Sequence, residues 1–490
     1  MQHPILWKGG MLQELFKGKG SVADCPASRG ILLADCLGKV YHKFLRSSLV
    51  PALVDSARDT QCGGLPSRSV DHAHHIIKLF CARAKSMSRS CAILFLDVVA
   101  AFDSVLRAIA FLPEHNVQDT AHLFSRFQLP PEAFAEFISH LQSSALEEAG
   151  ASDYQCEMLA DIYGASWLTV QGREEVSLTN AGTKPGDPLG DIIFNFVALR
   201  VLTKLESTLS DAGLVEYIPI NANGASDDLG LAFPGPAAAE ALERGISACE
   251  VSFVDDTALP TTARPATLLT AKVTAMAELA IQVFASFALR LNFSAGKSEV
   301  VIAFSGPGSD VAHRRLFVDE GSLIPLQGSE TPLRAVQVYK HLGTHQDALN
   351  HQGQEVAHRA GSGAEARKKL RRSFRGAPSL QEKPRLQLCA SLVKTRLVFN
   401  AQTWTPLTAS QVGKLAHQWT LSLRDALKMQ IRPGADKQFT DDQVLARASL
   451  PRFDVELRVV RLRYLSRVLG DKAPLLLTSL LQEACRLTLQ

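Results

Sequence analysis

The sequence lacks the cysteine spacing of a zinc domain or of a disulfide framework. Its nine cysteines are an odd number, they are scattered from Cys25 to Cys485, and none belongs to a C-x-x-C pair. Zinc knuckles need closely spaced ligands, and a disulfide framework needs paired cysteines. We therefore expect free thiols in a reducing, intracellular compartment.

Long apolar runs are also absent. No stretch of the sequence reaches the roughly 18 uninterrupted apolar residues that a membrane-spanning helix needs. The first four residues do not begin a charged region followed by an apolar core, as a secretory signal would. These absences predict a chain that is not secreted and has no membrane partner.

Neither charge sign is in large excess. The net charge is +3, with 46% hydrophobic and 21% charged residues, a balance typical of a soluble globular protein. A chain of 490 residues predicts two to four subdomains rather than one core. The net charge is too small to indicate nucleic-acid binding by itself, so the positions of the charges must decide. We find no internal repeat and no low-complexity tract.

Two adjacent carboxylates, Asp255 and Asp256, lie between two apolar runs. The pattern predicts a β-hairpin with the acids at or near its tip. Two like charges at one point are unfavourable alone, and a divalent cation such as magnesium removes the penalty. The alternative is an ordinary polar turn, so the pair does not establish a metal site by itself.

A third carboxylate, Asp97, ends the continuous apolar run 91–96. Such a run predicts a buried central strand. An acid at the end of a buried strand is costly unless it is paired or bound to a metal. Asp97 is therefore a second candidate carboxylate site.

A loop rich in glycine and proline, 182–189, separates the two carboxylate sites in the chain. It follows a predicted hairpin, 167–170 with 176–179, and precedes an amphipathic helix. Gly182 and Gly186 let a ligand approach the backbone closely, and Pro188 suits the first turn of the helix.

Two further helices precede the run that ends at Asp97. The first is predicted over 33–53, and its apolar face comprises Leu37, Val40, Tyr41, Phe44, Leu45 and Leu49. The second, over 70–84, contains His72, His74 and His75, which we interpret as surface or packing residues rather than metal ligands.

After Asp347 the chain becomes helical and basic. Six cations between residues 367 and 375, with no acid among them, are candidates for binding nucleic-acid phosphates: Arg367, Lys368, Lys369, Arg371, Arg372 and Arg375. The alternative is a solvated charged helix face.

In these motifs the chain resembles the reverse transcriptases of non-LTR (LINE-type) retrotransposons, from about Trp7 to residue 470. Residues 95–105 resemble palm motif A, 182–189 motif B and 253–256 motif C. Further matches are the fingers loop at 61–71, motif D at 291–299, the primer grip at 339–343 and the thumb at 392–404. Several motifs in the family's order are more specific than any one alone.

The resemblance implies an α+β fold, the right-hand polymerase with fingers, palm and thumb. It divides the chain into fingers at 1–90, palm motif A at 91–110, a helical insertion at 111–175, the remaining palm with motifs B to E at 176–346, a helical basic thumb at 347–430 and a C-terminal helical extension at 431–490.

The implied activity is RNA-directed DNA polymerisation by two-metal nucleotidyl transfer. Asp97 and Asp255 would be the principal ligands of two Mg²⁺ ions, for which Mn²⁺ could substitute, and Asp256 would support them. Lys297 matches the motif D lysine, a candidate general acid for the pyrophosphate. The partners would be an RNA template, a DNA primer end and deoxynucleoside triphosphates.

The resemblance also implies roles around the nucleotide. Lys17 and Arg29 match fingers cations that hold the triphosphate, and Phe102 matches the aromatic residue that excludes a 2′-hydroxyl. Pro185 stands where the family usually has glutamine, and Val254 where it usually has alanine. Gly190 stands where serine is common.

The family must reach chromosomal DNA, which places the chain in the nucleus or the cytoplasm. An endonuclease would act in cis, from a part missing here, or in trans. Two other functions stay open: a catalytically inactive nucleic-acid-binding relic and an RNA-dependent RNA polymerase, against which Phe102 argues.

Overall fold

The computed structural model describes residues 3–18, 20–24, 27–111, 133–218, 245–429, 439–470 and 473–489. The chain forms two compact units. The first unit comprises Met1–Ala222, Gly235–Gln337 and Pro474–Gln490, and the second comprises Asn223–Pro234 and Val338–Ala473. The two units change at 337/338 and 473/474. The subdomain bounds expected from the resemblance, with the thumb beginning at 347 and the C-terminal extension at 431, stay predictions.

The first unit is built on a six-stranded sheet. Its strands are β3 (Ser90–Leu96), β8 (Val251–Phe253), β9 (Asp256–Ala263), β10 (Glu299–Ala303), β11 (Leu323–Ile324) and β12 (Leu333–Val336), in the order β11-β12-β10-β3-β9-β8. Every residue of β3 is buried, as its apolar run predicts, and β3 pairs antiparallel with both β9 and β10. The strand that leads to Asp97 is therefore a central strand of the sheet.

A second sheet of the first unit contains the predicted hairpin. Its strands are β1 (Gly9–Phe16), β2 (Ser28–Ala34), β4 (Ser166–Val170) and β5 (Val176–Thr179), in the order β2-β1-β4-β5. The pairing of β4 with β5 is antiparallel, which confirms the hairpin, and β1 pairs in parallel with β4. A short ribbon, β6 (Tyr217–Ile218) with β7 (Ile246–Ser247), completes the described strands of this unit.

Helices cover the sheets of the first unit. The described α-helices are Cys36–Ser56, Val70–Ser86, Ala101–Ser104, Arg107–Ala110, Phe134–Leu141, Ala145–Glu148, Asp153–Tyr163, Gly190–Asp211, Leu269–Ser286, Ser309–Arg314 and Leu475–Leu489. Two of them, Val70–Ser86 and Leu269–Ser286, contact β3. The helical segment Ala266–Ser286 is long and apolar enough to cross a membrane by length and composition, as the buried core helices of globular proteins also can be. The part of the predicted insertion at 112–132 lies outside the described residues.

The apolar face predicted for the first long helix is wrong for half of its residues. Leu37, Val40 and Phe44 are exposed in the helix Cys36–Ser56, whereas Leu45 and Leu49 are buried. Residues at 37, 40 and 44 share one side of a 3.6-residue helix, and the buried residues lie on another. The periodicity of apolar residues correctly predicted the helix. It did not predict which side is buried, because apolar residues cover a wide arc of the helix surface.

The histidines of the next helix pack within the protein, as expected. His72 and His74 are buried, and the backbone N–H of Ser69 donates to Nδ1 of His72 across 3.2 Å. This contact at the start of the helix gives His72 a structural role.

The second unit is mainly helical. It contains a hairpin of β13 (Tyr339–His341) and β14 (Thr344–Gln346), and the α-helices Gly353–Gly376, Glu382–Cys389, Thr395–Leu397, Ala409–Leu427, Asp441–Ala448 and Phe453–Val468. The hairpin turns at Leu342 and Gly343, both at positive φ, a turn that glycine favours. The core of this unit surrounds Trp419 and Leu423.

Candidate active site

The register of the central strands brings the three predicted acids to one edge of the six-stranded sheet. Leu96 pairs with Thr257, so Asp97, the next residue along, lies beside Asp256 at the start of β9. Phe253 pairs with Asp256, which leaves Val254 and Asp255 as the two residues of the turn between β8 and β9. The acids therefore lie on or beside a hairpin tip, as their sequence pattern predicts.

The turn is held in a conformation that its sequence does not favour. Val254 has a φ of 59°, in the left-handed region where a β-branched residue is strained. A Cβ on Gly63 would lie 2.3 Å from the backbone nitrogen of Val254, and the N–H of Cys62 donates to the carbonyl of Ser252 across 2.8 Å. The loop before the helix Val70–Ser86 therefore packs directly against the hairpin, and only glycine fits at position 63.

Asp97 is fixed by residues from the segment before β10. Its backbone N–H donates to Oγ of Ser298 across 2.9 Å, and its carbonyl accepts from the N–H of Asn292 across 2.9 Å. The ammonium of Lys297 lies 3.1 Å from Oδ1 of Asp97. The predicted motif D segment and the predicted motif A acid are therefore in direct contact.

Burial and charge repulsion raise the pKa of two of the three acids, Asp255 and Asp256. Burial, followed by the charges of Asp255 and Asp97, raises the pKa of Asp256 to about 7. Burial also raises the pKa of Asp255, with a contribution from Asp97, while the cations Arg29 and Lys297 act in the opposite direction. Half-buried carboxylates that repel one another are the arrangement in which a bound cation is most favourable.

The carboxylates at this site are ligands of the kind that magnesium prefers, but they do not form a complete set of ligands in this arrangement. Magnesium prefers carboxylate oxygens, and this edge of the sheet supplies them from two adjacent strands. Within the described ranges, no group of three or more His, Cys, Asp or Glu side chains is gathered closely enough to hold a metal ion. Lys297 instead contacts Asp97, so a metal bound there would have to displace or share this contact.

The Gly/Pro loop is tied to the segment that follows Asp97. The N–H of Gly182 donates to the carbonyl of Val105 across 2.8 Å, and the N–H of Thr183 donates to the carbonyl of Phe102 across 2.7 Å. Gly182 has a φ of 76°, and a Cβ there would lie 2.8 Å from the carbonyl oxygen of Asp103. Glycine at this position is therefore required by both backbone conformation and space.

The other end of the same loop contacts the sheet that carries Arg29. The carbonyl of Pro185 accepts from the N–H of Leu32 across 2.8 Å, and Gly186 has a φ of 93°. The loop 182–186 therefore bridges β2 and the segment after Asp97. Pro185 uses its carbonyl for this bridge.

Phe102, Arg29 and Lys17, which are expected to contact the nucleotide, differ in their exposure and in their contacts. Phe102 is half-buried, with its ring 5.3 Å from that of Phe194. Arg29 is exposed on β2, and its charge acts on Asp255. Lys17 lies one residue beyond β1, where its N–H donates to the carbonyl of Ala27 across 2.8 Å. The relation of Arg29 to the acids is the effect of its charge, which lowers the pKa of Asp255.

The predicted phosphate-binding cluster divides into two groups in the second unit. Arg367 donates to Asp425 across 2.8 Å, and Arg371 lies 3.6 Å from the same carboxylate. Lys369 pairs with Glu365 at 2.9 Å on the helix surface. The other three predicted cations, Lys368, Arg372 and Arg375, are exposed. Arg367 and Arg371 lie beside the buried carboxylate of Asp425, which neutralises part of their charge, and phosphate binding by the six cations stays a prediction.

The sequence analysis identified the segments 61–71 and 291–299 by resemblance, but it did not predict the contacts through which they position the site. Ser298 and Asn292 hold the backbone of Asp97, and Gly63 packs against the turn at Val254. The partners are separated by about 190–200 positions in the chain, and a single sequence carries no signal for such a contact.

Comparison with known proteins does not establish a family. No family model and no curated protein matches the chain. Among solved structures, telomerase from Candida albicans, in complex with a TWJ fragment of telomeric RNA, is similar with a TM-score of 0.40 and 12% sequence identity. The likeness covers 99% of this chain and 64% of that chain. At this TM-score it establishes neither a shared fold nor a shared activity.

Proposed function

We propose that the chain is an RNA-directed DNA polymerase with the right-hand polymerase fold, and that its active site lies at the edge of the sheet that carries Asp97, Asp255 and Asp256. The observation that supports this best is the register of β3 and β9, which places a carboxylate from one central strand beside an acid pair on the adjacent hairpin. Two-metal nucleotidyl transfer needs carboxylates from neighbouring strands in this way.

The chain's residues have distinct roles in the proposal. Asp97 and Asp255 would hold two Mg²⁺ ions, with Asp256 in support. The ions would supply activation of the primer hydroxyl and neutralisation of the phosphates. Lys297, already at the edge of the site, would protonate the leaving pyrophosphate. Arg29 would hold the triphosphate, and Lys17 would join it.

The loop and the aromatic residue beside the acids would select the nucleotide. Gly182 and Gly186 would let the nucleotide approach the backbone, since neither carries a side chain. Phe102 would exclude a 2′-hydroxyl. The exposed cations Lys368, Arg372 and Arg375 would contact the template–primer backbone through salt-dependent charge interactions.

Extension of a DNA primer on an RNA template tests the proposal. We expect Mg²⁺-dependent incorporation of deoxynucleotides by the full chain. Asp255→Asn removes a proposed ligand charge and should lower the rate by at least about 100-fold, as the loss of several kcal/mol of charge stabilisation implies. Asp310→Asn is a matched control, because Asp310 is exposed on another helix of the first unit.

One observation favours a second candidate function, a non-catalytic nucleic-acid-binding protein. The described acids are not gathered as a complete ligand set, and Lys297 already contacts Asp97. Salt-sensitive binding of RNA–DNA hybrid without any extension would select this function over the polymerase.

A further inference from the structure

Arg107 is a buried cation that the proposed chemistry does not use. It begins the short helix Arg107–Ala110 and is 6% exposed. Its guanidinium donates five hydrogen bonds: Nε to the carbonyl of Gly182 (3.1 Å), Nη1 to the carbonyls of Tyr163 (3.0 Å) and Thr179 (2.7 Å), and Nη2 to Oγ1 of Thr179 (3.0 Å) and to the carbonyl of Ala181 (3.1 Å). All five acceptors are neutral.

These acceptors belong to two separate segments of the chain. Tyr163 ends the helix Asp153–Tyr163, and the second segment runs from Thr179, the last residue of β5, through Ala181 to Gly182, the first residue of the Gly/Pro loop. Arg107 therefore joins the start of this loop to two rigid elements. The planar guanidinium can do so because its donors have a fixed fork geometry.

Arg107 lies where burial disfavours a positive charge. We therefore infer that Arg107 contributes the fixed geometry of its hydrogen bonds rather than its charge. Burial lowers the pKa of Arg107, and burial also lowers the pKa of Lys184, to about 8. The guanidinium carbon of Arg107 and Nζ of Lys184 lie 5.1 Å and 4.6 Å from the centre of the Tyr163 ring. The cost of burying these cations is offset by their contacts with the Tyr163 ring and by hydrogen bonds to buried carbonyls that would otherwise lack donors.

The loop held by Arg107 is the one that contacts the proposed nucleotide site. Its next residues donate to the carbonyls of Phe102 and Val105, directly after the Asp97 segment. We propose that Arg107 is a positioning residue for nucleotide binding, which fixes residues 179–183 so that the loop presents its backbone to the incoming deoxynucleoside triphosphate. This inference rests on the proposed polymerase function.

Arg107→Lys tests the proposal, because lysine keeps the charge and loses the fork. We expect the KM for the deoxynucleotide to rise by about tenfold, the equivalent of losing one or two charged hydrogen bonds, with kcat changed much less. Hydrogen exchange at the amides of Gly182 and Thr183 should become faster. A uniform loss of stability would not move KM and kcat apart.

Arg200→Lys is the matched control. Arg200 also donates to backbone carbonyls of the first unit, those of His140 and Ser143, and does not contact the loop. We expect it to leave the KM and the exchange of the loop amides unchanged. Equal effects of the two lysine variants on KM, or no effect of Arg107→Lys on KM and exchange, would overturn the proposal.

Thr179→Val covers the case in which Arg107→Lys does not fold. It removes one of the five acceptors, so a smaller shift of KM and exchange in the same direction is expected, and no shift would contradict the proposal. If the wild-type chain extends no primer, the polymerase function fails. The exchange of Gly182 and Thr183 in the variants then still decides whether Arg107 holds the loop.

Discussion

At the scale of single residues, the turn between β8 and β9, beside the acids, has a strained backbone. Val254 adopts a left-handed φ of 59°, and its side chain also packs against the core of the first unit. Val254→Ala and Val254→Gly lose nearly the same packing, but only glycine relieves the backbone. We expect the glycine variant to be more stable than the alanine variant by about 1 kcal/mol. Urea unfolding measures the difference, and equal stability of the two variants would show that the turn is not strained.

The raised pKa of Asp256 predicts a pH dependence of stability. Because the folded pKa, about 7, lies above the ordinary value of 3.8, the folded state binds the proton more tightly than the unfolded state. The contribution of Asp256 to stability is therefore greatest below pH 3.8 and is lost as the pH rises through about 7. Without metal, the urea midpoint should fall across this range, and Asp256→Asn should remove that part of the fall.

Magnesium supplies the complementary measurement for the same site. If the ion binds the three acids, it should restore part of the stability lost at pH 8, because ligands that bind the folded state stabilise it. In the metal-free protein, a pH dependence that is the same with and without Asp256 would contradict the raised pKa of Asp256, which comes first from burial and then from the charges of Asp255 and Asp97.

At the scale of elements, the helix Gly353–Gly376 carries two kinds of cation. Some are exposed to solvent, and others lie beside the carboxylate of Asp425. Lys368→Gln with Arg372→Gln should weaken binding to an RNA–DNA hybrid and reduce its salt dependence, because both side chains are exposed. Arg367→Gln should mainly lower stability, since it leaves the buried Asp425 with one partner fewer. Fluorescence anisotropy at two salt concentrations, beside thermal melting, distinguishes the two results. An equal loss of hybrid binding in both variants would show that Arg367 also contributes to binding the RNA–DNA hybrid.

Elements were predictable from the sequence where local pattern decides them. The run 91–96 gave a buried strand, and the hairpins around 167–179 and 251–263 were recognised from their apolar alternation and turn residues. The same reasoning failed for Leu37 and Phe44, because a helix that is apolar over a wide arc does not reveal which side packs. It also did not reveal the contact between Arg367 and Asp425, because these residues are 58 positions apart in the chain and only tertiary packing brings them together.

At the scale of the whole molecule, the end of the chain returns to the first unit. The helix Leu475–Leu489 packs against Val70–Ser86, where Arg83 pairs with Glu483 at 2.7 Å. The carboxylate of Asp59 accepts the backbone N–H groups of Leu475 and Leu476, at 2.7 and 2.8 Å, and so caps the start of this helix. Nothing in the local sequence at Asp59 predicts a partner more than 400 positions away.

The cap predicts that Asp59 contributes to stability through the last helix. Asp59→Ala should lower the free energy of unfolding by about 1–2 kcal/mol, the usual cost of removing a carboxylate that caps a helix. Asp55→Ala is the control, because Asp55 is exposed in the preceding helix. Chemical denaturation measures both. Equal stability of the two variants would mean that the last helix does not depend on this cap.

The central claim is that Asp97, Asp255 and Asp256 form a magnesium-dependent polymerase site. Extension of a DNA primer by one deoxynucleotide on an RNA template, followed across a magnesium titration, tests it most directly. We expect extension by the wild-type chain and by Asp310→Asn, and a loss of at least about 100-fold in Asp97→Asn and Asp255→Asn. Extension that is absent from the wild type, or that persists without magnesium or in the Asp255→Asn variant, would contradict it.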